Sequence, residues 1–323
     1  MSFIPSSWVP PCYDGPGMTK LRVGWHREHF LSPLLQFAEK DAGSTFELVE
    51  CPGGTGEMQV KLKNGEIDIC VALTDALIAG LANGLDSYKL VGRYIASPLR
   101  WAIITGKESK YNSVDDLKGT TFGISRQGSG SQVMASVLSM NQGWTADQQP
   151  KFKINGQFKP LRDSVNSGET SCFLWEWFTT KPYVDSGEVR FIGSVYSEQE
   201  DCPFQPDDTQ APWPCWSIAA AENSSTSSLS SFLSSLEPFV THFNSPKARE
   251  KDDVDFVVDY FNHQREDVIE WLASVKWEEG LAQVEEKVIR DTLDTLEKAG
   301  VVKRPEAGWD MSTFVNADVC KVH

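Results

Sequence analysis

Thr121-Phe122-Gly123-Ile124-Ser125-Arg126-Gln127-Gly128-Ser129-Gly130-Ser131-Gln132-Val133-Met134-Ala135-Ser136-Val137-Leu138 is the stretch on which the reading of this chain turns. A short apolar strand runs into a turn of small residues and then into a helix whose first turn is rich in Gly and Ser. The opening of such a helix aims unpaired backbone N–H groups and hydroxyls at one point, which suits an anion. The competing reading is that the glycines only turn the chain and a serine caps the helix. Stricter patterns fail. Val133 stands where a dinucleotide fingerprint needs its third glycine, and no Gly-Lys-Ser/Thr follows as in a P-loop. Neither Ser125 nor Ser129 lies in a G-x-S-x-G elbow. The turn reads as a binding floor without visible chemistry of its own.

Working outward, other segments end at the same kind of place. Leu21 to Trp25 reads as a strand followed by a polar loop carrying His26, Arg27, Glu28 and His29, and Ser32-Pro33 opens the next helix. The His26-x-x-His29 spacing invites a metal, but no third partner is in view and none is expected. Phe46 to Glu50 is a second strand leading into Cys51-Pro52-Gly53-Gly54-Thr55-Gly56-Glu57, a second glycine-rich strand-to-helix turn, with the helix drawn over Met58 to Lys63. Ile67 to Ala72 is nearly continuous apolar sequence, as a parallel strand buried on both faces requires. It ends at a helix cap, Thr74-Asp75, facing the strand-end crevice where open α/β sheets bind ligands.

Leu90 to Ile95 and Trp101 to Thr105, joined by Ala96-Ser97-Pro98-Leu99-Arg100, form a crossing between two lobes, stiffened by Pro98. Ser113-Val114-Asp115-Asp116 reads as a capping box. Lys153 to Gly168 reads as a polar, poorly periodic connection. Cys172-Phe173-Leu174 is a buried strand ending in Trp175-Glu176-Trp177, where aromatic walls and polar hooks suit a small-molecule pocket. The alternative there is core aromatics with Glu176 capping a helix. Ser197 to Gln210 reads as a mobile surface loop closed by Pro212-Trp213-Pro214, and Ser217 to Ala221 returns as a strand and a second crossing. The remainder is helical: one stripe from Leu229 to Phe243 with Pro238 inside it, one from Val254 to Val275, and one from Leu281 to Leu296.

Composition bounds the rest. At 323 residues and 40% hydrophobic the chain can bury two medium cores. A net charge of −15 without any basic block gives no electrostatic support to nucleic-acid or membrane partners. Seven scattered cysteines without a C-x-x-C pair fit reduced thiols. No secretory leader and no membrane-length apolar run are read, so a cytoplasmic location is expected. Residues 1–18 read as an N-terminal arm.

In the order Gly53-Gly54-Thr55-Gly56-Glu57-Met58, Leu73-Thr74-Asp75, Ser97-Pro98-Leu99-Arg100-Trp101-Ala102-Ile103, Ser125 to Ser131, Leu174-Trp175-Glu176 through Tyr183, and Pro212-Trp213-Pro214, the chain resembles the type II periplasmic-binding-protein fold. Within that fold it resembles the branch holding the sulfonate-binding proteins and the fungal thiamine-pyrimidine synthesis family, and most of all the fungal cytoplasmic members. The resemblance implies an α/β protein of two lobes closing on a ligand in the cleft between them, joined by two crossing strands. Residues 19–99 and 217–323 would form one lobe and 100–216 the other. The usual transporter partner is placed in question by the lack of a leader. The clustered cysteines of the pyrimidine synthase are absent, so no cofactor is expected.

The function that follows is non-catalytic binding of a small anionic or heteroaromatic metabolite. The expected ligand-binding residues are Trp25, His26, His29, Gly54, Thr55, Gly56, Thr74, Asp75, Ser97, Arg126, Ser129, Gly130, Ser131, Trp175, Glu176 and Trp213. The alternative is an enzyme of the thiamine-pyrimidine type with His26, His29 and Glu176 as acid/base groups. A sensor whose closed form is read by another protein is the third reading.

Overall fold

A computed structural model describes residues 20–192 and 213–323. The chain's apolar segments alternate with amphipathic helices, and they sort into two five-stranded sheets covered by helices. The first sheet is built from β1 (Leu21–Trp25), β2 (Phe46–Glu50), β3 (Ile69–Leu73) and β4 (Tyr88–Ile95), interleaved with α1 (Ser32–Asp41), α2 (Thr55–Lys63) and α3 (Thr74–Ala82). The chain then crosses through Ala96–Arg100, which is neither helix nor strand, into β5 (Trp101–Gly106) of the second sheet. There follow β6 (Thr121–Ile124), α4 (Gly130–Asn141), β7 (Lys151–Ile154), α5 (Phe158–Asn166), β8 (Cys172–Glu176), α6 (Trp177–Asp185) and β9 (Val189–Phe191). It returns to the first sheet as β10 (Trp216–Ala221).

The two sheets repeat one plan. Their orders are β2-β1-β3-β10-β4 and β7-β6-β8-β5-β9. In each, three strands run parallel, and the strand by which the chain enters that lobe is slotted in antiparallel beside the third. The result is α/β and two-lobed, with the loops at the carboxyl ends of both parallel trios facing one cleft, where such sheets hold ligands. β3 is buried along Ile69, Cys70, Val71 and Ala72, as a strand covered on both faces must be.

The C-terminal third packs on the first lobe as α7 (Thr226–Asn244), α8 (Pro246–Glu250), α9 (Asp252–Phe261), α10 (Arg265–Ser274), the short pair β11 (Gln283–Val284) and β12 (Lys321–Val322), and α11 (Glu286–Lys298) between them. α7 runs through Pro238, burying Leu229, Phe232, Leu233, Leu236, Val240 and Phe243.

Several expectations need correction, among them the stripe from Leu281 to Leu296, which is helical only from Glu286, Gln283–Val284 being β11. The stripe from Val254 to Val275 is two helices, because Asn262 takes the left-handed conformation (φ 59°) and ends α9. The polar connection from Lys153 to Gly168 contains the end of β7 and all of α5. That helix was missed because its buried side is only Leu161 and Val165, completed by Ser164 and by Arg162. Arg162 lies 3.6 Å over the Tyr183 ring and pairs with Glu188. Finally, α2 begins at Thr55 rather than Met58. The N-terminal arm and the Ser197 to Gln210 loop lie outside the described residues.

Candidate functional site

The turn after β6 lacks the serine side-chain cap of the second reading. Ser129 is the N-cap residue of α4, yet its side chain makes no capping bond. Its Oγ lies 2.9 Å from Ser131 Oγ, which in turn accepts from the backbone N–H of Ser125 at 3.2 Å. The hydroxyls are held in a chain at the helix mouth, and the N–H groups of Gly130 and Ser131 find no acceptor among the described residues. Gly128 has φ 73°, a left-handed conformation that glycine adopts without strain.

Opposite, the β2–α2 turn brings a second helix mouth. Gly54 is its N-cap at φ 66° and ψ −152°, a region open only to glycine. Arg126 reaches across from the second lobe, donates to the Gly53 carbonyl, and lies against Gly56 so closely that a Cβ there would stand 1.6 Å from Nε. Among the described residues no carboxylate comes within ion-pair distance of this guanidinium. Burial lowers its pKa to about 10, against the pull of Glu57.

These turns line one cleft between the lobes. His26, Gly54, Thr55, Arg126, Ser129, Gly130, Ser131, Trp175 and Glu176 are all at its wall. So are groups that sequence reasoning left out: Glu28, Phe30, Trp101 and Trp216, and the Gly156-Gln157 turn at the mouth of α5. Trp175 is half-buried and stacks on Phe158 with centroids 5.0 Å apart, whereas Trp177 is fully buried core.

The remaining expected residues stand elsewhere. Trp25 and Trp213 are in the cores. Thr74 bonds Ser217 at 2.7 Å, and Asp75, buried at the start of α3, has its pKa raised to about 6 by desolvation. Ser97 lies on the inter-lobe link, where its Oγ accepts from the backbone N–H of Lys276. Gly56 acts from behind, as the flat surface on which Arg126 rests. His29 is behind the wall, between the two cleft carboxylates.

Those carboxylates are the other pole. Glu28 accepts from Thr179 Oγ1 at 2.7 Å across the lobes, and Glu176 caps α6 by accepting from the Thr179 backbone N–H at 2.6 Å. Burial raises the pKa of both, and for Glu28 the nearby Glu176 charge raises it further. His29 is held neutral by burial. Among the described residues no third donor completes the His26-x-x-His29 pair; the donors that gather are Glu28, His29 and, from the far lobe, Glu176.

The lobes touch through the Arg126 and Thr179 bonds and through Arg100–Glu270 and Lys181–Asp267 pairs at 2.9 and 3.1 Å. No helix among the described residues is long and apolar enough to cross a membrane.

A family profile described as Ca3427-like PBP matches residues 101–195. The solved structure of the Candida albicans CA3427 gene product, reported as defining a new family with the generic periplasmic-binding-protein fold, is 27% identical over 93% of this chain and 96% of that one, with a TM-score of 0.77. The alkanesulfonate-binding protein SsuA from Xanthomonas axonopodis pv. citri, bound to MOPS, is 15% identical over 91% and 97%, with a TM-score of 0.67. The aliphatic sulphonate binding protein SsuA from Escherichia coli is 16% identical over 93% and 92%, with a TM-score of 0.60. No curated protein matches the chain. The fold is that of the periplasmic binding proteins.

Proposed function

We propose that this protein binds a small organic anion in the cleft, closing the two lobes about the link at residues 96–100 and the return into β10. The observation that carries the reading is Arg126: a partly buried cation with no carboxylate within ion-pair distance among the described residues, at the mouths of α2 and α4. Desolvating a charge without a partner is costly, so the site is poised for an anion from outside. Unused N–H groups at Gly130 and Ser131 add donors of the same sense. The faces of Trp101, Trp175 and Trp216 provide an apolar wall for a flat or aliphatic body. The sulfonate ligands named for the two SsuA structures are of this chemical form, an anionic head on an organic body.

Native mass spectrometry of freshly purified protein, followed by calorimetric titration with the retained compound and with aromatic and aliphatic sulfonates and carboxylates, tests the reading. Arg126→Gln should weaken binding of the anion roughly tenfold or more, since a charge-assisted hydrogen bond contributes about 1.5–3 kcal/mol. Unchanged affinity in a folded Arg126→Gln protein would move the anion's seat elsewhere.

A further inference from the structure

His29 is 1% exposed, and among the described residues neither of its ring nitrogens has a hydrogen-bond partner. The same is true of Glu176 Oε1. A buried imidazole with two bare nitrogens is unusual, because buried polar groups are nearly always satisfied. What surrounds it is acidic. His29 Nδ1 lies 3.9 Å from Glu28 Oε2, and Nε2 lies 3.8 Å from Glu176 Oε2. One donor atom from each of the three side chains lies within 4.8 Å of the others.

We propose that Glu28, His29 and Glu176 form a divalent transition-metal site at the floor of the cleft, of the zinc class, bridging the two lobes. The donor set decides the class. One imidazole nitrogen with carboxylate oxygens suits zinc and its neighbours, whereas calcium needs six to eight oxygens and softer ions need thiolates. Glu28 lies against Nδ1 and Glu176 against Nε2, and the set is wider than ligand pairs on one ion at about 2.0–2.2 Å each, so rotation of the Glu28 side chain on its own loop together with approach of Glu176 from the far lobe would complete the site on one ring nitrogen. Both carboxylates are already aimed by bonds from Thr179, the outer-shell support that metal ligands require.

Two further features fit. Glu28 and Glu176 line the cleft, so the ion would keep an open face toward a bound molecule. Beside it, His26 Nδ1 lies 3.0 Å from the Cys51 carbonyl and donates to it, which leaves Nε2 unprotonated and 4.0 Å from Glu28 Oε1. This site is separate from the Arg126 pole and stands or falls without it.

The test is calorimetric titration of the chelator-treated full chain with zinc chloride, alongside thermal melting. One zinc per chain is expected, with a higher melting temperature in its presence, since binding to the folded state alone stabilises it. Glu28→Gln and Glu176→Gln keep shape and remove a ligand, and each should weaken zinc binding tenfold or more. His29→Gln should do the same, with circular dichroism showing whether it folds; the two glutamine variants decide the matter if it does not. A wild-type protein that takes up no zinc, or zinc binding unchanged in both glutamine variants, would overturn the proposal.

Discussion

Gly56 carries a consequence out of proportion to its size. The Arg126 guanidinium rests on its bare Cα, and a single methyl group there would overlap Nε. Gly56→Ala should therefore push the anion-binding charge out of the cleft while leaving the helix intact, since Ala is the better helix former by about 1 kcal/mol. Titration with the ligand should show a loss comparable to that of Arg126→Gln, with the melting temperature of the apo protein little changed. Wild-type affinity in Gly56→Ala would mean that Arg126 is not a ligand contact. At this scale the sequence was legible where the pattern is local: Ser125, Arg126, Ser129, Gly130 and Ser131 stand close together in the chain and line the cleft together. Glu28 escaped notice because its role depends on Glu176 and Thr179, nearly 150 residues away, and on being buried by them. Trp101 and Trp216 read as strand residues, which they are. That one begins each antiparallel strand and faces the cleft there is a fact of sheet order, not of spacing.

At the scale of the element, α9 offers a pH test remote from the cleft. Asp253 in its first turn is fully buried and neither carboxyl oxygen has a hydrogen-bond partner among the described residues. Burial pushes its pKa up to about 8, helped by Asp252 and opposed by Arg249, whose own hydrogen bonds go to the carbonyls of Phe243, Leu272 and Val275 and to Asn244. The sign follows from linkage. A carboxyl with a folded pKa above its unfolded one binds more protons when folded, so its contribution to stability is greatest in acid and falls as pH rises from about 4 through 8. Asp253→Asn removes that titration. Melting temperatures measured from pH 5 to 8 should fall less steeply in Asp253→Asn than in wild type, and parallel curves would contradict the assignment. The helices also show where pattern reading stops. α5 was hidden because two of its buried positions are Ser164 and Arg162, and the break between α9 and α10 depends on one backbone angle at Asn262 that an apolar stripe does not register.

At the scale of the molecule, two lobes of the same strand plan meet with their binding turns face to face, and two hydrogen bonds cross the cleft between them. Arg126 of the second lobe donates to Gly53 of the first, and Thr179 of the second donates to Glu28 of the first. Rim pairs such as Arg100–Glu270 add little in water. Apolar packing of α3 and α11 against α4 also joins the lobes, and a ligand's own bonds in the cleft decide how firmly the clamp shuts. Small-angle scattering of the full chain, stripped of bound compound and then saturated with a ligand verified by titration, measures this directly. A smaller radius of gyration in the saturated sample is the predicted result, and an unchanged radius at full occupancy would contradict closure of the lobes on a ligand.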